Sequence, residues 1–472
     1  MPRAIEGFKT VHDTVHGSIK VEGVLLELME TPEVQRLHSI RQLGLAYLVF
    51  PGANHTRFEH SLGTAHIANR MGRELGLKPD EALLIRVAGM LHDLGHGPFS
   101  HTLEYLHHQH KGLDHMDITK GLITGELSLF PTEGKKRGSK GAKGTGDIHS
   151  EAVLDDERKA GRIPAILEKY GLDPEEVAGL IAGPLPNDDG TLDIFTTARS
   201  SQTVFCTRRY LHECIHGPLD ADQVDFLLRD SHYTGVAHGV LDVDRLMQTL
   251  AIHNNELVVD KSGLNAVEGM MVARALMYSS VYFHKTVRIA EVMLSRAVER
   301  LDLDEDELTA IAKMVDMDLM HYLEAQGGLQ SAIVKALRLR HLFKTAYVAT
   351  PEELNGEGSG TVDDSKLEAL QDLEDVRKRR EHEDEIARRV SAPDGMVAID
   401  IPAKEVIVSE PRIHKTGILI LDKGKVRPLE KFTPLARALE LRPVPSWIVM
   451  VSCAKKYREA VAKMAPKVLF DS

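Results

Sequence analysis

A helix that ends on histidine and aspartate constrains this chain more than any other feature. Residues 81–95, EALLIRVAGMLHDLG, carry apolar side chains at helical spacing and stop at a glycine, the pattern of a helix with one buried face. His92 and Asp93 fall side by side at its end, followed by Leu94, Gly95, His96, Gly97 and Pro98. An imidazole and a carboxylate so placed can face one cation, but two ligands do not make a site. His60, within RFEHS (57–61), is the upstream candidate, and Asp222, within DADQVD (220–225), the downstream one. Two histidines and two carboxylates form a mixed nitrogen and oxygen set. It suits a divalent Mn, Fe, Mg or Zn ion with positions open for water and substrate. Any one of these residues alone reads as an ordinary polar side chain; their joint spacing carries the metal reading.

Composition narrows the class of protein. There are 24 histidines in 472 residues and a net charge of −12, a balance that weighs against broad nucleic-acid binding. The three cysteines, Cys206, Cys214 and Cys453, lack C-x-x-C spacing, which argues for a reducing compartment and against a thiolate metal site. The N-terminal decapeptide MPRAIEGFKT has no apolar signal region. No apolar run approaches the ~18–20 residues of a membrane span. The expectation is a cytoplasmic protein that makes no membrane contact.

Residues 21–125 read as a series of helices, with one opening at Pro98 and running to about His108. Further helices are expected from Asp220 to Asp230 and, as one long element, from about Leu264 to Arg300. Residues 131–147, PTEGKKRGSKGAKGTGD, read as a flexible basic insertion. Such a loop could touch nucleic acid or a neighbouring subunit, though a plain solvated loop fits its composition better. Residues 351–390 read as a linker followed by a charged helix. The runs VAIDI, EVIVSE, GILILD and WIVMVS then predict a small α+β lobe over 391–472. The expected architecture is mainly α: a catalytic core over 1–350, the linker and helix, and the lobe.

The H…HD…D set resembles the HD-domain metal phosphohydrolase superfamily. VFPGANHTRFEHSLG (49–63), AGMLHDLGHGPFSH (88–101) and DADQVDFLLRD (220–230) resemble the HD-domain deoxynucleoside triphosphate triphosphohydrolases in particular. The similarity is greatest to the catalytic region of the vertebrate SAM-and-HD-domain enzyme, here without a SAM domain. TPEVQRLHSIRQLG (31–44) and IAGPL (181–185) fit the same family, and the resemblance covers roughly residues 8–350. It implies cleavage of a dNTP to deoxynucleoside and inorganic triphosphate. A nucleotide phosphatase or phosphodiesterase on the same metal site is the alternative, and a nucleic-acid-binding module using the 131–147 loop is a more distant one.

The resemblance also assigns residues. Metal ligands are His60, His92, Asp93 and Asp222; Arg57, His96 and Arg274 face the phosphates, and Gln42 and Leu43 line the substrate edge. If Pro98 opens a helix, His101, Glu104 and His108 share one face. His101 then matches a phosphate-contacting histidine, and Glu104 the acid that orients a catalytic histidine, an aspartate in the relative. That catalytic histidine is His115, with His149 as its competitor. Asp230 matches a contact to the sugar 3′-hydroxyl, and Tyr282 and Phe226 pack at the sugar. Phe226 stands where the relative has tyrosine, Gln223 where it has lysine, and Phe283 where it has glutamine. A nucleotide-activated homo-oligomer, dimer or tetramer, is implied as well. Its regulatory positions are Lys9, Val11, Glu30, Gln35 and His38, for which an ordinary polar surface is the plainer reading. Lys425 and Arg427 are weaker phosphate candidates.

Overall fold

The computed structural model describes residues 7–100, 102–103, 115–129, 161–183, 208–301, 303–350, 369–370, 372–401, 417–440 and 447–470. The 131–147 insertion, the 351–366 linker, His101, Glu104, His108 and His149 lie outside the described residues. Helices dominate what is described.

A hairpin of β1 (Phe8–Asp13) and β2 (Gly17–Glu22) leads into the helical body. Helix α1 (Arg57–Glu74) starts where the Glu59 carboxylate accepts from the Thr56 N–H at 2.6 Å, satisfying one of the donors a helix start leaves open. Helix α2 (Pro79–Leu91) has proline in its first turn, where the missing N–H costs nothing, and ends with His92 as its C-cap. The two helices cross closely at Gly89, where a Cβ would sit 3.3 Å from the Ala65 backbone. That crossing brings the His60 and His92 rings to 5.1 Å between centroids. Further along, α3 (His115–Thr124) lies against the turn after His92: the Gly95 N–H donates to Thr119 Oγ1 at 2.9 Å.

Helix α4 (Ala221–Thr234) is N-capped by Asp220, whose side chain accepts from the Gln223 N–H, and closed by Gly235 in the left-handed conformation. It packs on α1 at Gly63, the residue that lets the two backbones approach.

The long helix expected from Leu264 to Arg300 is interrupted. Helix α5 (Leu264–Met277) passes into one π-helical turn over Tyr278–Tyr282, closed by the Phe283 N–H on the Tyr278 carbonyl. The chain then restarts at α6 (Lys285–Glu299), capped by His284. The extra residue keeps the Tyr278 and Tyr282 rings 5.0 Å apart but removes Lys285 from their stripe; its ammonium stands over Trp447 instead.

Strands of the C-terminal segment pair with strands that precede it in the chain. Strand β5 (Lys344–Ala349) precedes the expected boundary yet pairs antiparallel with β9 (Val449–Cys453), whose other edge takes β6 (Val397–Asp400). Conversely, the hairpin of β7 (Leu419–Asp422) and β8 (Lys425–Pro428) joins a body sheet of β3 (Leu250–His253) and β4 (Glu256–Asp260). The β4–β7 pairing is parallel, with Val259 opposite Ile420, and it closes an edge that β4 would otherwise present to solvent. The charged helix is α7 (Val376–Arg389). It is clamped to α6 and its C-cap by a buried pair, Arg296 to Glu383, and a half-buried one, Arg300 to Asp384, each 2.6 Å. Arg288 reaches Asp400 of β6 at the same distance.

Candidate metal centre and substrate cavity

Three elements supply the donors. His60 sits in the first turn of α1, His92 and Asp93 follow α2, and Asp222 lies in the first turn of α4. His60 Nε2 is 3.0 Å from Asp222 Oδ1 and 3.8 Å from Asp93 Oδ2. His92 Nε2 is 3.3 Å from Asp93 Oδ1 and 3.8 Å from Asp222 Oδ1. One donor atom each from His60, His92 and Asp93 falls within 4.8 Å of the others.

Both imidazoles are oriented from behind. His60 Nδ1–H donates to Asp225 Oδ2 at 2.8 Å, and His92 Nδ1–H to the Gly89 carbonyl at 2.9 Å. Each Nε2 therefore points inward, the arrangement that carboxylate or carbonyl partners impose on ligating histidines. His92 Nε2 is buried and finds no hydrogen-bond partner among the described residues. A buried ring nitrogen aimed at two carboxylates without a partner is costly unless something else satisfies it. The donor set and that orphaned atom fit a divalent cation.

Electrostatics agree. Burial alone would lower the His60 pKa, but the carboxylates of Asp222, Asp225 and Asp93 hold it up to about 10. Burial would raise Asp93, yet His92, Arg57 and His96 keep its carboxyl well below the usual range. Asp225 is held low against burial by Arg229, His16 and His60. The cluster is a pocket of negative potential inside the protein, the field in which a cation is stabilised.

Around it lies a cavity of about 610 Å³. The described residues that the sequence assigned to substrate, Gln42, Leu43, Arg57, His96, Phe226, Asp230, Arg274 and Tyr282, all line it, and so does His115, the candidate catalytic histidine. Arg57 donates to Asp93 Oδ2 at 2.5 Å and to Ser100 Oγ at 2.7 Å. The His96 ring stacks on His115 at 4.0 Å. Arg274 Nη1 donates to Gln223 Oε1 at 2.8 Å, so the residue standing in place of a lysine positions a guanidinium. Asp230 accepts from the Tyr282 hydroxyl at 2.6 Å and pairs with His55 Nε2 at 2.9 Å. Phe226 meets Tyr282 edge-on, their ring centroids 6.2 Å apart. At the far wall are Phe283, Val287, Arg288 and Glu291.

None of the five regulatory candidates lines this cavity. Lys9 pairs with Glu30 at 2.6 Å, Gln35 donates to the Met29 carbonyl, and His38 stacks on Phe58 at 3.6 Å, while Val11 is half-buried on β1. Lys425 and Arg427 are exposed on β8.

Sequence reasoning missed the support behind His60. Asp225 also accepts from His16 at 2.5 Å and from Arg229, which in turn reaches Asp13 at 2.7 Å. The spacing of Asp225 from Asp222 put it on the ligand-bearing face of α4 and was the available signal. His16 and Asp13, far away in the chain, gave none.

Two histidines and two carboxylates converge at the ends of three helices, and His60, His92 and Asp93 among them form a group that could hold a metal ion. The chain is an HD-domain protein: residues 57–136 match the HD domain and residues 241–470 the HD associated region. An uncharacterized protein of Methanocaldococcus jannaschii is 27% identical over 95% of this chain and 80% of its own length. Human deoxynucleoside triphosphate triphosphohydrolase SAMHD1 is 27% identical over 72% of this chain, which spans 55% of that protein. Among solved structures, a phosphohydrolase from Bacteroides thetaiotaomicron superposes with a TM-score of 0.62 at 22% identity, covering 95% of this chain and 99% of that one. No helix among the described residues is long and apolar enough to cross a membrane.

Proposed function

We propose that this protein is a metal-dependent dNTP triphosphohydrolase. The observation that carries the reading is one cavity lined by the donor cluster, by Arg57 and Arg274, and by Asp230, Tyr282 and Phe226. A divalent Mn, Fe, Mg or Zn ion held by His60, His92, Asp93 and Asp222 would supply Lewis-acid polarisation of the phosphate.

The chain's own groups do the rest. Arg57 and Arg274 neutralise the triphosphate and, with His96, align it. Asp230, fixed by His55 and Tyr282, accepts from the 3′-hydroxyl, while Phe226 and Tyr282 fill the space a 2′-hydroxyl would need. Water attacks the α-phosphorus, the P–O5′ bond breaks, and His115 delivers a proton to the leaving 5′-oxygen as general acid. Inorganic triphosphate and a deoxynucleoside leave. Burial, Arg57 and His115 lower the His96 pKa well below the ordinary imidazole range, so His96 meets the phosphates as a neutral hydrogen-bond donor. His101 and Glu104 belong to the proposed machinery as phosphate contact and orienting acid. A homo-oligomer activated by nucleotide at Lys9, Val11, Glu30, Gln35 and His38, working in the cytoplasm, completes the reading. The free, buried thiols of Cys214 and Cys453 support a reducing location.

The test is product analysis. Purified protein with Mn²⁺ is given each dNTP and rNTP, singly and in pairs, and products are separated by ion exchange. Triphosphate with deoxynucleoside, abolished by His92→Ala or Asp93→Ala, is the expected result. Monophosphate with orthophosphate or pyrophosphate would overturn it in favour of a phosphatase or phosphodiesterase. Activity only in pairs would locate the activator requirement.

A further inference from the structure

A second cavity, of about 360 Å³, opens between β2, α1 and α2, and shares no lining residue with the first. Its size falls within the roughly 300–1,000 Å³ typical of small-molecule sites. Ile19, Val21, Leu25, Leu62 and Met90 make an apolar floor, all of them buried. The rim is cationic. Lys20, Arg73 and Arg86 line it, with His66 beside them, and Glu22 is the one carboxylate among the described lining residues. Glu22 is taken by Lys20 at 2.6 Å.

Neither guanidinium makes an ion pair within 4.0 Å among the described residues; Glu22 acts on Arg86 only at longer range. Arg86, half-buried, spends one N–H on the Lys20 carbonyl at 3.0 Å. Arg73 makes no hydrogen bond or ion pair among the described residues. Burial and the nearby Arg73 charge both press down on the Arg86 pKa, with Glu22 opposing. Two planar, fork-shaped donors over an apolar floor match a ligand with a phosphate at one end and a flat apolar body at the other.

We propose that this cavity is a separate binding site for a small phosphate-bearing molecule with an apolar ring system. The phosphate lies between Arg73 and Arg86, and the ring covers Leu25, Leu62 and Met90. The site has a contact route to the metal centre: the His66 ring stacks on His16 at 5.1 Å, His16 bonds Asp225, and Asp225 orients His60. The proposal stands whether or not the chain cleaves dNTPs, because it rests on this cavity alone.

Calorimetric titration of adenosine 5′-monophosphate into the full chain without added metal tests it, with inorganic phosphate in parallel. The expected result is saturable binding of the nucleotide, with inorganic phosphate weaker by about tenfold for want of apolar contact. Arg73→Ala/Arg86→Ala should weaken the nucleotide by about tenfold or more, as expected when charge-assisted hydrogen bonds are lost. Asn69→Trp, which fills the cavity mouth and keeps every cation, should weaken it as well. Arg57→Ala/Arg274→Ala, in the metal cavity, should leave it within about twofold. Loss of binding in the Arg57/Arg274 variant but not in the other two would overturn the proposal, as would absence of binding to the native chain. Equal affinity for inorganic phosphate would overturn the apolar half.

Discussion

Two glycine-to-alanine substitutions, both inside helices, should move stability in opposite directions. At Gly269 in α5 the added methyl meets nothing within 4 Å, so the helix gains the propensity difference, about 0.5–1 kcal/mol. At Gly63 in α1 the same methyl would lie well under 3.0 Å from Asp225 Oδ1 and from an Arg229 nitrogen. Asp225 would have to retreat by about 1 Å or more. It cannot do so freely, because one of its oxygens holds His16 and Arg229 and the other holds His60 and Arg229. Overpacking costs roughly 1–3 kcal/mol, and each charged hydrogen bond given up costs about 1.5–3 kcal/mol more. Against a helix gain of at most about 1 kcal/mol, Gly63→Ala should destabilise by about 3 kcal/mol or more. Because Asp225 orients His60, Mn²⁺ affinity should also fall about 10–100-fold. Thermal melts with and without Mn²⁺, and calorimetric Mn²⁺ titrations, read both effects. A Gly63→Ala protein that melts with or above Gly269→Ala would refute the packing argument. Lower stability with unchanged Mn²⁺ affinity would refute the role given to Asp225.

Other outcomes follow from the same groups. With His60 held near 10, loading Mn²⁺ at pH 8 should release about one proton per site, seen as a binding enthalpy that varies with the buffer's ionisation enthalpy. Burial, the neighbouring His16 and Arg73 and Arg70 lower His66 to about 4. The unfolded chain therefore takes up that proton first as pH falls: the stability is whole above about 6.5 and is lost as pH drops through 6.5 toward 4. His66→Gln should flatten the melting curve across that window by about 1 kcal/mol after allowing for solvent screening. If Phe226 excludes a 2′-hydroxyl, Phe226→Ala should raise ribonucleotide turnover relative to deoxyribonucleotide by about tenfold, measured as the ratio of kcat/KM values.

The helices and the donor set were legible because both leave local marks. Apolar spacing ending at Gly95 announced α2, and Asp220 announced the start of α4. His60, His92, Asp93 and Asp222 stand out together, through the joint spacing of two histidines and two aspartates, and not singly. The supporting residues carry no such mark. His16, Asp13 and His55 meet their partners across 175 to 216 residues, through pairings that no local pattern encodes. The strand pairings of the C-terminal segment left no local mark for a similar reason. Strand character was evident in GILILD, but strands name no partner, and pairing to β4 was decided by which edge stood open. The break after Met277 was hidden because a π turn uses the same helix-forming residues as its neighbours.

That turn makes the length of a segment part of its chemistry. In an α-helix each residue advances the next by about 100°, so deleting Ser279 or Ser280 would rotate Tyr282 away from the Asp230 carboxylate it now reaches. Every side chain lining the cavity would remain, and the Tyr282–Asp230 contact would be gone. Chains that keep these side chains but differ by one in this count should be sorted as different pockets, however alike their motifs look.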